Sequence, residues 1–314
     1  MKKNKNTKVL VTGGLGFIGS HIIDKLCEER YEVVSADTKS AQDFSFARFG
    51  EAHYYVCDVS SLSSVKELFK VVNPDFVIHC AAQARIQKGI DSPVETFMAN
   101  VLGTLNILES AKEFDVKKVV YSASSSAYGL QNSLPLVETM PPMTLNPYSL
   151  FKEFGERLCW QYSRYYELPT ISLRYFNVYG PRQPLEGLYS TVIVKFLHQW
   201  KNRQPFTIVP NGKQSRDFTY VSDVVNANVA AMKARTGRGY DGEVFNVGNG
   251  KNYTIFQLAK LIGGPDYPTV FIDRRRGESC HSCADIYKAK NKLKWRPEVS
   301  LPEGIKMFKK HIMC

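Results

Sequence analysis

The stretch KVLVTGGLGFIG, Lys8 to Gly19, decides the fold. Lys8 to Val11 is a short apolar run ending in Thr12-Gly13-Gly14, and from Phe17 to Glu29 the residues Ile18, Ile22 and Leu26 return at helical spacing. A strand therefore runs into a glycine turn that opens a helix. The spacing Gly13-x-x-Gly16-x-x-Gly19 departs from the commoner G-x-G-x-x-G, but it sits where such a turn has to sit. Glycines let the backbone approach a pyrophosphate, and the N–H groups of the first helical turn, which lack intrahelical acceptors, point at it. Without that context three glycines are as readily an ordinary turn. A second strand, Glu32 to Ala36, ends at Asp37, 18 residues after Gly19. A carboxylate there accepts hydrogen bonds from both hydroxyls of an adenosine ribose and repels a 2′-phosphate. The expected cofactor is NAD rather than NADP, with Lys39 as the opposing sign. Gly13, Gly16, Phe17, Ile18, Gly19 and Asp37 become candidate cofactor-binding residues.

The alternation continues. A strand at His53 to Val56, a helix at Leu62 to Val71 and a strand at Phe76 to His79 are followed by a long helix. That helix is expected to begin at Ser92-Pro93, serine capping and proline in the first turn, and to run to about Phe114. Strand Lys118 to Ser122, helix Pro147 to Tyr165 and strand Thr170 to Arg174 complete the series. The fold class is α/β, a Rossmann-type doubly wound parallel sheet with ligands at the carboxyl ends of its strands. Beyond Arg174 prolines and glycines rise and the elements shorten. We expect a cofactor domain over 1–175, with later segments returning to it, and a smaller C-terminal nucleotide-sugar domain over 176–314. Asp58, beside Val59 just past the third strand, is placed either to meet the adenine amino group or to sit in the cap of the next helix.

Composition narrows the function classes. The 314 residues are 44% apolar and 23% charged, ordinary values for a globular chain. No apolar run approaches the roughly 20 residues of a membrane helix, and the N-terminus is too poor in apolar residues for a secretory signal. Seven scattered cysteines point to free thiols in a reducing compartment, so a cytoplasmic protein is expected. Cys280-His281-Ser282-Cys283 offers at most three local ligands, and no metal is expected there. The net charge of +11 raises the question of nucleic acid. Its basic runs, at Lys2 to Lys8, Arg274 to Arg276 and Lys288 to Arg296, carry no nucleic-acid signature. An anionic small substrate accounts for the charge equally well, without nucleic acid or membrane.

Tyr148-Ser149-Leu150-Phe151-Lys152 puts a phenol and an ammonium four residues apart on one helix face. A free tyrosine ionises near pH ~10 and is a poor base at neutrality. A nearby cation, aided by the positive ring of a bound nicotinamide, favours the phenolate. Alone, Y-x-x-x-K is usually a solvated helix face; here it follows a dinucleotide turn.

TGGLGFIGSH, the acid at Asp37, HCAAQA (His79 to Ala84), YSASSSAYG (Tyr121 to Gly129), NPYSLFKEFGE and LRYFNVYGPRQ together resemble the extended short-chain dehydrogenase/reductase family. Within it the chain is most similar to NAD-dependent UDP-sugar 4-epimerases of the UDP-glucose and UDP-N-acetylglucosamine type, from about residue 7 to about residue 300. The resemblance implies that Tyr148 is the general base, Lys152 its partner and a ribose-hydroxyl donor, and Ser124 the hydroxyl on the sugar 4-oxygen. It places Ala81, Ala82 and Gln83 in the loop lining the cofactor, with Asn100 behind the catalytic helix, and counts Ser122 and Tyr175 among the cofactor contacts. Asn177 matches a pyrophosphate contact. Arg216, in a motif with Asp217 and Tyr220, matches the arginine on the diphosphate, and Arg275 and Glu278 fall at the second phosphate contact and the nucleotide ribose. A homodimer through helices near residues 93–113 and 148–166 is implied as well.

Relatives that dehydrate a nucleotide sugar carry Asp-Glu at the positions of Ser125 and Ser126, and those that decarboxylate a UDP-uronate keep a glutamate at Ser126. Two serines therefore leave hydride and proton transfer at C4. Ser282 matches a position where a tyrosine confines the site to plain hexoses and a small residue admits an N-acetyl group. The expected substrates are UDP-glucose/galactose and the UDP-N-acetylhexosamines. The rivals are a UDP-uronate epimerase, a 4-keto reductase, or a dinucleotide-binding regulator without chemistry, which has no use for Tyr148, Lys152 and Ser124 together.

Overall fold

Lys8–Thr12 forms an interior strand of a parallel sheet, and its residues Val9, Leu10 and Val11 are wholly buried, as the unbroken apolar run of a strand covered on both faces requires. The computed structural model describes residues 6–48, 50–131, 133–184, 191–209, 212–273 and 279–313. In chain order it runs β1 (Lys8–Thr12), α1 (Phe17–Glu28), β2 (Glu32–Asp37), β3 (Ala52–Val56), α2 (Leu62–Val72), β4 (Phe76–His79), α3 (Ile86–Asp91), α4 (Pro93–Phe97), α5 (Gly103–Glu113), β5 (Lys118–Ser124), α6 (Pro147–Tyr165) and β6 (Thr170–Tyr175). There follow β7 (Val178–Tyr179), α7 (Val192–Lys201), β8 (Phe206–Ile208), β9 (Ser215–Asp217), β10 (Thr219–Tyr220), α8 (Val221–Lys233), β11 (Glu243–Val247), β12 (Asn252–Thr254), α9 (Ile255–Gly263), β13 (Thr269–Phe271) and α10 (Leu301–Met313).

Seven of these strands form one sheet in the order β11-β6-β5-β4-β1-β2-β3, every pair parallel. This is the Rossmann-type sheet. Strand order reverses between β1 and β4, and a crevice opens there at the carboxyl edge. Side chains of β1 alternate between two cores: Val9 and Val11 join Ile22 and Leu26 of α1 and Val224 of α8, while Leu10 joins Val65 of α2, Ile107 of α5 and Cys159 of α6. Truncating a residue such as Leu10 to alanine costs about 2–5 kcal/mol. β11, far along the chain, is the edge strand beside β6. The remaining strands pair as β7 with β10, β9 with β12 and β8 with β13. Buried Lys118 at the start of β5 donates to the carbonyls of Ala231, Met232 and Ala234, satisfying the C-terminal end of α8 and pinning it to the sheet.

The long helix expected over 92–114 is interrupted. Between α4 and α5 the chain makes a π-helical turn, Met98–Leu102, and Asn100 within it is turned fully inward. A periodicity argument tracks apolar residues and is blind to a polar side chain wanted in the interior. Pro93 occupies the first turn as expected, but the Ser92 hydroxyl accepts from Lys88 Nζ at 3.3 Å instead of capping the helix.

Candidate active site

The glycine turn is dictated by close approach. Gly13 has φ +67°, and a Cβ there would lie 2.7 Å from the Ala81 nitrogen; a Cβ on Gly19 would collide with the Gly13 carbonyl. At Gly16 a Cβ would meet only that same carbonyl at 3.1 Å and otherwise face open space. No side chain caps α1, so its first-turn N–H groups face the cavity beyond. That cavity, about 930 Å³, runs along the carboxyl edge of the sheet and is large enough for two ligands of moderate size. Gly13, Gly16, Phe17, Ile18, Gly19 and Asp37 line one end. Asp37 is held there by Leu15 N–H at 3.1 Å and Lys39 N–H at 3.4 Å. Asp58 and Val59 line it too, and Asp58 Oδ1 also accepts the Ser60 N–H at 2.9 Å, so the cap-region role and the cavity-facing role coexist. An open helix N-terminus beside a ribose-height carboxylate fits a dinucleotide.

Ala81, Ala82 and Gln83 line the cavity after β4. Asn100 does not reach the wall. It grips the loop from behind, accepting the Gln83 N–H at 2.7 Å and donating to the Gln83 carbonyl at 3.1 Å.

The start of α6 is fixed by a capping box between Asn146 and Ser149, with Pro147 in the first turn. This aims Tyr148 and Lys152 at the end of β5, where Ser122, Ser124, Ser125 and Ser126 complete the wall. Burial raises the Tyr148 phenol, opposed by a hydrogen bond with the Ser124 hydroxyl and by the charge of Arg85. Ser124 Oγ lies 2.9 Å from Ser126 Oγ and accepts the Ser126 N–H at 3.2 Å. Burial pushes Lys152 down to about 8. Its ammonium donates to the Ser122 carbonyl at 2.8 Å and stands 4.9 Å from the Tyr121 ring centroid. The Lys152 ammonium is thus tied to β5, and Arg85 is a further cation whose charge favours the Tyr148 phenolate. Sequence reasoning passed over Arg85, whose only signal was a charged residue following the loop AAQA. It lines the cavity at the head of α3, and that short helix lies against Tyr148, since a Cβ on Gly89 would come 2.8 Å from Tyr148 Cβ. Tyr175 lines the wall with its hydroxyl 3.1 Å from Ser122 Oγ and donating to Asn228 at 2.9 Å.

Asn177, Arg216 and Ser282 meet at the far end of the cavity. The Arg216 guanidinium donates to the carbonyls of Ser279 at 2.7 Å and Cys280 at 2.8 Å, which stiffens it. Asn177 Nδ2 donates to the Asp217 carbonyl at 2.8 Å and reaches Ser282 Oγ at 3.4 Å. Beneath them buried Asp217 accepts three backbone N–H groups, from Asn249, Gly250 and Ala284, and burial nonetheless raises it to about 6. Arg275 and Glu278 lie outside the described residues. In the C-x-x-C segment His281 bonds Ser215 Oγ at 2.9 Å and Ser282 is buried against the pocket. Among the described residues no cluster of three His, Cys, Asp or Glu side chains is placed to hold a metal.

A parallel sheet with a glycine turn at one end of its crevice and a buried tyrosine and lysine at the middle defines a dinucleotide-dependent enzyme of the extended short-chain dehydrogenase/reductase kind. The chain belongs to the NAD dependent epimerase/dehydratase family, whose model matches residues 9–248. Its cofactor is NAD. It is 37% identical over 302 residues to a putative UDP-glucose 4-epimerase of Methanocaldococcus jannaschii, covering 95% of this chain and 96% of that one. The fold matches a UDP-glucose 4-epimerase of Thermotoga maritima solved with UDP-glucose, with TM-score 0.92, 36% identity and coverage of 98% and 99%. It also matches a UDP-glucuronic acid 4-epimerase of Bacillus cereus solved with UDP-glucuronic acid and NAD, with TM-score 0.87, 30% identity and the same coverage.

Proposed function

We propose that this enzyme inverts C4 of a UDP-hexose or UDP-N-acetylhexosamine through a transient 4-keto sugar. The observation that carries the reading is Tyr148 hydrogen-bonded to Ser124 on the cavity wall, with serines at 125 and 126 in place of any carboxylate. Dehydration or decarboxylation needs an acid–base pair there, and a serine hydroxyl passes a proton without ionising. NAD, when bound, supplies the hydride acceptor and donor for C4 and a ring charge that favours the phenolate. Tyr148 takes the 4-hydroxyl proton, directly or through Ser124, and returns it once the 4-keto sugar has presented its other face. Lys152 meets a ribose hydroxyl from its seat on the Ser122 carbonyl. Arg216, braced by two backbone carbonyls, holds the diphosphate while the sugar swings, with Arg275 and Glu278 assigned to the second phosphate contact and the nucleotide ribose. Asp37, Asp58, Ala81, Ala82, Gln83, Ser122 and Tyr175 hold the dinucleotide, and Ser282 leaves room for a 2-N-acetyl group.

A second reading is a UDP-uronate substrate. It is favoured by Arg85, a cation on the cavity wall acting on the same phenol that meets the sugar. Proton NMR of the purified protein with UDP-glucose, UDP-N-acetylglucosamine and UDP-glucuronate, one at a time and with no added cofactor, separates them. Inversion at C4 of the first two and not the third is expected; stoichiometric demand for free NADH instead identifies a 4-keto reductase.

The same reading includes a homodimer. Val94 and Phe97 of α4, Met98 beyond it and Leu150 and Phe154 of α6 are exposed, and Phe97 packs edge-on against Phe151 of α6, so two adjacent helices present one apolar face. Among the described residues no helix is long and apolar enough to cross a membrane, and the scattered thiols suit the cytoplasm as its location.

A further inference from the structure

Behind the loop Ala81–Gln83 runs a buried chain of polar groups that the reaction does not use. Thr12, His79, Asn100 and Thr104 are each no more than 1% exposed. Thr12 Oγ1 lies 2.7 Å from His79 Nδ1, His79 Nε2 lies 3.1 Å from Thr104 Oγ1, and Thr104 Oγ1 donates to the Asn100 carbonyl at 2.6 Å. Both ends terminate on the loop: Ala81 N–H donates to Thr12 Oγ1 at 3.3 Å, and the Asn100 amide exchanges two hydrogen bonds with the Gln83 backbone at 2.7 and 3.1 Å.

The proton order follows from counting donors. The Thr104 hydroxyl has one proton and gives it to Asn100, so at His79 it accepts, and Nε2 is the donor. Burial drives the imidazole down to about 3, and the charge of Lys152 pushes the same way, so the ring carries one proton only. Nδ1 is then a bare acceptor, and the Thr12 hydroxyl donates to it while its oxygen receives the Ala81 N–H. The opposite tautomer leaves the Nε2 lone pair facing the Thr104 oxygen with no proton between them, among side chains no more than 1% exposed. The π-helical turn belongs to this chain, since it holds Asn100 inward at one end.

We propose that His79, held as the neutral Nε2–H imidazole between Thr12 and Thr104, is a positioning residue that fixes both ends of the NAD-lining loop Ala81–Gln83. Its side chain does not line the cavity. It acts through Thr12 on Ala81 and through Thr104 and Asn100 on Gln83, the loop's first and last residues.

The test uses the protein as purified, with its NAD. In a sample labelled with 15N-histidine, the His79 resonances are expected to report a protonated Nε2 and an unprotonated Nδ1, unchanged from pH 5 to pH 9. Titration of this ring near its ordinary value, or a proton on Nδ1, overturns the assignment without any variant. Thr104→Val, nearly the same shape without the hydroxyl, is expected to speed amide exchange at Ala81 and Gln83 and release of NAD by about tenfold each, with amides of β2 unmoved. Thr104→Ser is expected to restore both. Unchanged loop exchange and NAD retention in Thr104→Val, or equal acceleration in the loop and in β2, refutes positioning. Thr12→Val repeats the test from the Ala81 end.

Discussion

Replacing Lys152 by methionine should make the cofactor-free protein more stable while removing its activity. Burial lowers Lys152 from 10.5 to about 8, and the side chain is almost wholly covered, so solvent screening does little to reduce the effect. A folded-state value below the unfolded one means that the charged form is disfavoured in the fold. The cost is fully present below about pH 8 and is relieved as pH rises toward the unfolded value near 10.5. At 1.36 kcal/mol per unit the cost is on the order of 3 kcal/mol at pH 7. Methionine keeps the length and apolar stem but abandons the Ser122 carbonyl, which returns about 1 kcal/mol of that. The net expectation is a gain of about 2 kcal/mol at pH 7 that has vanished by pH 10. Urea unfolding of both cofactor-stripped proteins at the two pH values measures it, and NMR turnover measures the loss of epimerisation, expected to exceed about 100-fold. A variant less stable than wild type at pH 7, or a difference independent of pH, would show that Lys152 is not held at an electrostatic cost.

Tyr148→Phe removes the proposed base and should lower turnover by about 10²–10⁴-fold with UDP-sugar binding by calorimetry nearly intact; turnover near wild type would sink the assignment. Ser282→Tyr fills the pocket beside Asn177 and should abolish inversion of the N-acetylated pair before that of the plain hexoses, and equal retention of both would remove Ser282 from substrate selection. Asp217 is raised from 3.8 to about 6 by burial, so the stability it contributes is whole below pH 3.8 and is lost as pH rises to about 6, by on the order of 3 kcal/mol. Asp217→Asn should flatten stability against pH in that window, and an unaltered slope there would contradict the account. Phe154→Glu places a charge in the exposed face of α6 and should yield monomers by sedimentation, whereas an unchanged mass would move the interface elsewhere.

The sheet was legible because its signals are local. The run at Lys8 to Thr12, the glycine turn and the alternation that follows need only the period of apolar residues and the chemistry of glycine, and the strands lie within a residue or two of their expected ends. The π-helical turn was not legible, because the reason for it, the grip of Asn100 on Gln83, is a contact 17 residues away in sequence between a side chain and a backbone. Arg85 was missed for the same reason: its meaning comes from α3 lying against α6, which no spacing of residues encodes. The pairing of Tyr148 with Lys152 rested on helix spacing and on the family resemblance. Spacing put both on one face, but it could not show that the Lys152 ammonium is seated on the Ser122 carbonyl, a contact 30 residues away in sequence.

That last difference bears on when the tyrosine is a base. Burial raises Tyr148, lowers Lys152 to about 8 and lowers His79 to about 3, each toward its neutral form. The carboxyl edge of the sheet is thus a place that resists charge, and the protein alone keeps the phenol protonated at neutral pH. Arg85 and the Ser124 hydrogen bond oppose this without overturning it. The positive nicotinamide ring of NAD, when bound, would act in the same low-dielectric space, where Coulomb terms are large, and would favour the phenolate there. On the proposed reading base strength is in this way coupled to occupancy: burial favours the neutral phenol, and a positive ring beside it is expected to favour the phenolate that takes the 4-hydroxyl proton.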